Sequence, residues 1–194
     1  MAFRTRDRRS VLLLSLLSCF AGALTGLLVS VFRLLLQGAD HWRDAFISHA
    51  HGWALAGLAV TIALVAAASA VAASMVRRLS PYAAGSGIPH VEAVAEGKLD
   101  PSPLTLVPVK FIGGLLAIGG GLALGREGPS VQMGAAIGWF VGKRLGLSRA
   151  DCIALLASCG GAGIATAFNA PIAGAVFVLE ELIRRFDTRI AIAA

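Results

Sequence analysis

No charged residue occurs between Arg9 and Arg33, and the stretch from Ser10 to Phe32 is dominated by Leu, Val and Ala. A run of that length is close to the ~20 residues an α-helix needs to cross a bilayer. Basic residues precede it (Arg4, Arg6, Arg8, Arg9), as in a secretory signal, and Leu16-Leu17-Ser18-Cys19 resembles a lipoprotein cleavage box. The run is nevertheless too long for the apolar region of a signal peptide and reads as an uncleaved first helix. A second uncharged run, Trp53 to Val76, ends at Arg77 and Arg78. Composition agrees: the 194 residues are 57% hydrophobic and 14% charged, against about 25% charged in soluble domains. A soluble domain of this size buries roughly 70% of its unfolded surface, so lipid must cover the rest.

The net charge of +6 comes from basic residues at the ends of apolar runs, where they set membrane orientation. The bilayer, and not nucleic acid, is therefore the expected partner. Cys19, Cys152 and Cys159 all lie in apolar stretches without paired spacing, so neither a disulfide framework nor a metal site is expected.

The first span reads from Ser10 to about Leu36, and Gly38–Gly52 reads as a polar loop. Beyond Arg78 the apolar segments shorten and are broken by Gly and Pro. Helices are expected at Ile88 to about Glu96, Leu104 to Ile118, Pro129 to Lys143, Ser148 to Ala167, and from Pro171 to about Arg185. Lys98–Pro103 is a turn, and Gly119–Gly128 is expected outside a helix, because each Gly there costs about 1 kcal/mol. The fold class is an all-α integral membrane protein with broken, re-entrant helices. If the segments at Ser86 and Gly119–Gly128 dip in and return, the N-terminus, Arg77 and Arg78, Lys98, Lys143, Arg144, Arg149, Arg184 and Arg185 all fall on the cytoplasmic side.

Broken helices at membrane depth survive only where protein buries the loose backbone or where it lines a polar cavity. A helix starting there presents free N–H groups and a partial positive charge, which suits an anion. Three Gly/Pro-marked starts occur: Gly85-Ser86-Gly87-Ile88-Pro89, Gly125-Arg126-Glu127-Gly128-Pro129 and Asn169-Ala170-Pro171. Ser86 is expected to cap its helix and to offer a hydroxyl to an anion. Glu127 is the most informative residue. An apolar setting favours its neutral acid, and a helix start favours its carboxylate. Such a group can alternate with a bound anion as a proton-linked gate. Glu180 and Glu181 read either as partners of Arg184 and Arg185 in an interfacial salt bridge or as a proton entry point. Lys110, in an apolar helix, is expected to pair with Glu92. Gly160, Gly161 and Gly163 read as close helix packing. Gly119–Gly125 is not a nucleotide loop, since no strand precedes it. No nucleophile–base pair or metal cluster suggests an enzyme.

These motifs resemble the CLC chloride channels and transporters: GSGIP (Gly85–Pro89), PVKFIGG (Pro108–Gly114), GREGP (Gly125–Pro129), AFNAPIAG (Ala167–Gly174) and LEEL (Leu179–Leu182). The resemblance spans Ser10 to Arg185. It implies a basic cytoplasmic segment (1–9), a transmembrane half-domain (10–185) and a truncated tail (186–194). It also implies that Ser86 and Gly87 contribute to chloride sites, that amides around Arg126–Gly128 cradle the anion, and that Glu127 is the external gate. Glu181 matches the internal proton-transfer glutamate, which favours chloride/proton exchange over a passive channel. Chloride is the implied ligand, with no cofactor and no metal, in a homodimer of the inner membrane. Family members are about twice as long and contain two inverted repeats. The second repeat supplies a GxFxP loop and a pore Tyr, neither of which is found here, so a fragment lacking activity on its own is the further alternative.

Overall fold

The computed structural model describes residues 2–50, 52 and 55–182, with side chains from Leu12 onward. Every regular element among them is helical. In order these are α1 (Ala2–Ala50), α2 (Leu55–Leu79), a 3-10 turn (Pro81–Ala83), α3 (Ile88–Ala95), α4 (Leu106–Gly119), α5 (Glu127–Arg144), α6 (Arg149–Phe168), α7 (Pro171–Phe177) and a π-helical turn (Val178–Leu182). Among the described residues, three helices are long and apolar enough to cross a membrane: α1 from Leu12, α2 and α6. The remaining helices are shorter, as the Gly and Pro breaks require. The expected end of α7 near Arg185 lies outside the described residues.

One expectation fails clearly. Gly38–Gly52 reads as a polar loop in sequence, yet α1 continues unbroken to Ala50. The stretch contains no proline, and its polar residues support each other along the helix. Arg43 bridges Asp40 at 2.7 Å and Asp44 at 3.5 Å, and the Ser48 hydroxyl donates to the Asp44 carbonyl at 2.8 Å. Polarity here marks a helix leaving the apolar layer, not the end of the helix. With 49 residues and a rise of 1.5 Å per residue, α1 is about 74 Å long, well beyond the ~30 Å hydrocarbon core.

The centre of the molecule is the α5–α6 pair. Gly128 through Ala136 are all buried, so α5 is enclosed on every side in its first half. Small residues make this possible. Gly134, Gly138 and Gly142 recur at one-turn spacing, and a Cβ on each would run into Cys159, Leu155 or Cys152 of α6. Gly163 of α6 abuts the Ser130 carbonyl in the same manner, and Gly161 meets Gly174 of α7. The expected close packing of the α6 glycines is therefore present, and α5 contributes a matching stripe that sequence reading overlooked. Close backbone approach maximises dispersion contact where lipid offers no hydrophobic driving force. Across α6, α1 presents Ser18, Gly22 and Gly26, with the Ser158 hydroxyl 3.4 Å from that of Ser18.

The opposite faces carry exposed apolar side chains. On α1 these include Leu12, Leu16, Phe20, Leu27 and Leu34, and on α2 Leu55, Leu58 and Ile62. In α6 67% of the apolar window is buried, against 11% in α2, so α6 is an inner helix and α2 an outer wall. Of the cysteines, Cys152 and Cys159 are buried and Cys19 is exposed on α1.

The same exchange should act with opposite sign at two glycines. Nothing lies within 4 Å of a Cβ placed at Gly38. Gly38→Ala should therefore stabilise α1 by roughly 0.5–1 kcal/mol. Gly138→Ala drives a methyl into the Leu155 carbonyl and should cost about 1–3 kcal/mol. Thermal unfolding of the complete protein in detergent measures both. A Gly138→Ala variant as stable as the parent would contradict the tight α5–α6 contact.

Candidate functional site

The chain leaves α2 at Leu79, makes the 3-10 turn and reaches α3 through Ala84–Gly87. Gly85 and Gly87 have φ of +68° and +95°, a left-handed region that residues with a Cβ rarely adopt. Gly87, not Ser86, is the N-cap of α3, and no side chain caps that helix. The expected capping role of Ser86 is thus not realised. The helix starts at Ile88 as expected, but the left-handed Gly87 occupies the cap position, and Ser86 is exposed on a cavity.

The second helix start comes to the same place. Residues 120–126 are non-helical, and α5 begins at Glu127 with Arg126 as N-cap. The Ser130 hydroxyl donates to the Arg126 carbonyl at 2.7 Å and closes the first turn. Gly128 packs so tightly on Ser86 that an added Cβ would fall inside the Ser86 carbonyl and 2.8 Å from its hydroxyl. This contact between two loops distant in sequence joins the starts of α3 and α5. The half-buried Glu127 side chain folds back over Gly125, where a Cβ would overlap its carboxylate.

A cavity of about 710 Å³ lies between these starts, α2 and α4. Ser86, Glu127 and Gly128 line it, together with Gly85, Lys110 and Arg77. Gly87 and Arg126 stand one residue behind the wall: Gly87 is buried against Gln132, and Arg126 is half-buried at the N-cap. The third start, Asn169-Ala170-Pro171, contributes nothing to the cavity; Asn169 is left-handed there, and α7 packs on α6 instead. Glu180 and Glu181 are exposed in the π-helical turn after α7, away from the cavity wall. Their expected partners Arg184 and Arg185 lie outside the described residues.

Lys110 has a different role from the one expected. Its ammonium donates to the carbonyls of Ala83 at 3.0 Å and Gly85 at 2.7 Å, instead of forming the Glu92 pair that sequence reading anticipates. Gln132, one turn into α5, donates from Nε2 to the Tyr82 carbonyl at 2.8 Å. Sequence reading missed Gln132, although a buried amide in a helix of small and apolar residues was a usable signal.

Chemically, the wall offers a hydroxyl, two helix starts with loose amides, a carboxylate and two cations, set in apolar surroundings. The family described as voltage gated chloride channel matches residues 68–194. The chain belongs to that family. Its curated relatives include the H(+)/Cl(-) exchange transporter ClcA of Vibrio vulnificus (strain YJ016), 39% identical over 171 residues, covering 88% of this chain and 37% of the relative. The ClcA of Vibrio cholerae serotype O1 (strain ATCC 39541) is 37% identical over 187 residues, 95% of this chain and 39% of the relative. The chain therefore spans under two fifths of the length of these relatives. Among solved structures, a slow cyanobacterial Cl-/H+ antiporter superposes with a TM-score of 0.85 at 32% identity, over 93% of this chain and 43% of the other. A CLC-type fluoride/proton antiporter gives 0.73 at 26% identity, over 93% and 44%. The fold is thus part of the CLC fold, with Ser86 and Glu127 in one cavity.

Gly128→Ala should separate the two helix starts. The methyl has no space against the Ser86 carbonyl, which belongs to backbone and cannot swing aside. A stability loss of about 1–3 kcal/mol is expected, read as a lower unfolding temperature of the complete protein. An unchanged unfolding temperature would show that the Ser86 loop yields freely.

Proposed function

We propose that this segment carries the anion site and the proton-linked gate of a chloride/proton exchanger. The observation that carries the reading is Glu127, a carboxylate at a broken helix start, in the same cavity as the Ser86 hydroxyl. A helix start stabilises one negative charge at a time. A chloride and the Glu127 carboxylate therefore compete for the amides near Arg126–Gly128 and for Ser86 and Gly87. Protonation removes the carboxylate from that competition and admits the anion. Release of the anion lets the carboxylate return, so anion and proton occupancy alternate.

Glu181 is proposed as the internal proton-transfer group. It stands outside the anion cavity, as a route that handles protons without chloride requires. The proposal also places the protein in the inner membrane of a bacterium as a homodimer with a cytoplasmic N-terminus. A chain that crosses once in α1 and once in α2 brings the basic ends Arg4–Arg9 and Arg77–Arg78 to one side, in accord with the positive-inside rule. The relatives' greater length supports a complete protein in which a further repeat closes the cavity. The 194-residue segment alone should give no chloride-driven proton flux in liposomes, because the open cavity leaves polar backbone without partners. Robust coupled flux from the segment would require several copies to form the pathway.

Neutralising the two glutamates should have different consequences in the complete protein. Glu127→Gln mimics the protonated gate: chloride should still move, without proton coupling and almost without pH dependence. Glu181→Gln should abolish proton movement and leave passive chloride flow that still rises in external acid, because Glu127 can still be protonated. Paired chloride and proton flux in liposomes over about pH 4–7.5, spanning ordinary carboxylate titration, makes the distinction. Full proton coupling in Glu181→Gln would remove Glu181 from the pathway. Wild-type chloride flux without any proton movement would make the protein a passive channel.

A further inference from the structure

The segment that carries Ser86 has an unusual division of its backbone groups. The Ser80 and Pro81 carbonyls accept from Ala83 and Ala84 within the 3-10 turn, and the Gly87 carbonyl accepts from Val91 in α3. Three others are taken by side chains from different helices. Gln132 of α5 takes the Tyr82 carbonyl at 2.8 Å, and Lys110 of α4 takes those of Ala83 and Gly85 at 3.0 and 2.7 Å. Among the described residues, no backbone hydrogen bond uses the amides of Gly85, Ser86, Gly87 or Ile88. Six of the eight carbonyls from Ser80 to Gly87 are thus tied back into the protein, and the amides of Gly85–Ile88 are left over. Lys110 is 6% exposed and Gln132 1%, so both donors act away from competing water.

We infer that Lys110 and Gln132 are positioning residues that set the anion preference of the Ser86 loop, by fixing the Tyr82, Ala83 and Gly85 carbonyls so that they cannot turn towards the anion that the loop's amides and the Ser86 hydroxyl face. The inference rests on the proposed chloride function of this cavity. A carbonyl oxygen is the negative end of a strong dipole, and one freed beside the anion would repel it. In a low-dielectric wall that repulsion is poorly screened. A small anion that relies on short hydrogen bonds loses more by such a rotation than a larger, flatter anion with diffuse charge. The two clamps are independent in origin, since they come from separate helices and hold different carbonyls. A further packing detail fits this arrangement. A Cβ at Gly87 would overlap the Gln132 amide, so the left-handed Gly87 leaves room for that amide to reach Tyr82.

The test compares Lys110→Met and Gln132→Met, each close in length to the residue replaced, in the complete protein reconstituted in liposomes. Sodium chloride and sodium nitrate gradients are the probes, with chloride affinity from calorimetry and unfolding temperature alongside. Both variants should weaken chloride binding by roughly tenfold, the effect of losing about one hydrogen bond's worth of order in the loop. The chloride-to-nitrate flux ratio should fall towards parity. The pair Lys110→Met/Gln132→Met should be worse than either alone. A merely structural role would lower the yield of folded protein and leave the ratio of the folded fraction at the wild-type value. Folded variants with an unchanged ratio and unchanged affinity overturn the inference while the chloride function stands. Wild-type protein that neither binds nor carries chloride overturns both. Should Lys110→Met fail to fold, Gln132→Met alone decides, because it releases only the Tyr82 carbonyl.

Discussion

A backbone that stops being helical inside a bilayer must find partners for its amides and carbonyls within the protein, since lipid supplies none. Residues 80–87 and 120–126 are such stretches, and the structure around them is arranged to meet that demand. The carbonyls of Ser80–Ala83 and of Gly85 are taken by the 3-10 turn, by Lys110 and by Gln132. The α5 start is closed by Ser130 on the Arg126 carbonyl. What remains unpaired is mostly N–H, and it gathers where α3 and α5 begin. Most carbonyls of the Ser80–Gly87 segment are thus engaged, while the amides of Gly85–Ile88 take no backbone partner among the described residues.

That arrangement depends on the first half of α5 being enclosed, and enclosure depends on glycine. Gly128, Gly134 and Gly138 each face a backbone carbonyl of another segment. The first holds the Ser86 loop, and the other two hold α6. A larger residue at any of them would push α5 outward and open the contact that joins the two helix starts. The same helix is therefore both the structural axis and one wall of the cavity. Dispersion across short backbone distances replaces the hydrophobic effect, which has little to contribute between helices already surrounded by lipid.

Electrostatically the cavity contains opposing elements held close together. Glu127 brings a carboxylate to the helix start, and Lys110 and Arg77 bring positive charge to the same wall. Lys110 directs its hydrogen bonds to carbonyls, so its charge is anchored by the loop it holds. A carboxylate at a site of positive potential is stable only when no other anion occupies that site. Competition between them is the physical basis of the proposed gate.

Much of the fold was legible from local sequence. The apolar runs and the breaks at Gly85–Pro89, Gly119–Gly128 and Asn169–Pro171 identified the helices to within a few residues, because helix propensity and chain breaking act among neighbours along the chain. That Ser86, Glu127 and Gly128 are candidates for one polar site was legible as well, since a carboxylate or hydroxyl beside a Gly/Pro break is costly in an apolar chain unless it has a polar partner to meet, and the three line one cavity. The continuation of α1 through Gly38 to Ala50 was not, because polar composition reads as a loop even where the side chains pair along one helix. Nor were the partners of Lys110 and Gln132, which reach carbonyls 25, 27 and 50 residues earlier in the chain. By itself the sequence determined a helical membrane protein with interrupted helices and pointed to Ser86 and Glu127 as candidates for a polar site. Only the tertiary structure decided that Ser86 meets Gly128, that Lys110 turns to Ala83 and Gly85, and that Asn169–Pro171 stays apart from the cavity. Those outcomes depend on how closely whole helices approach, and that distance is set by packing across the fold and not by the residues adjacent in the chain.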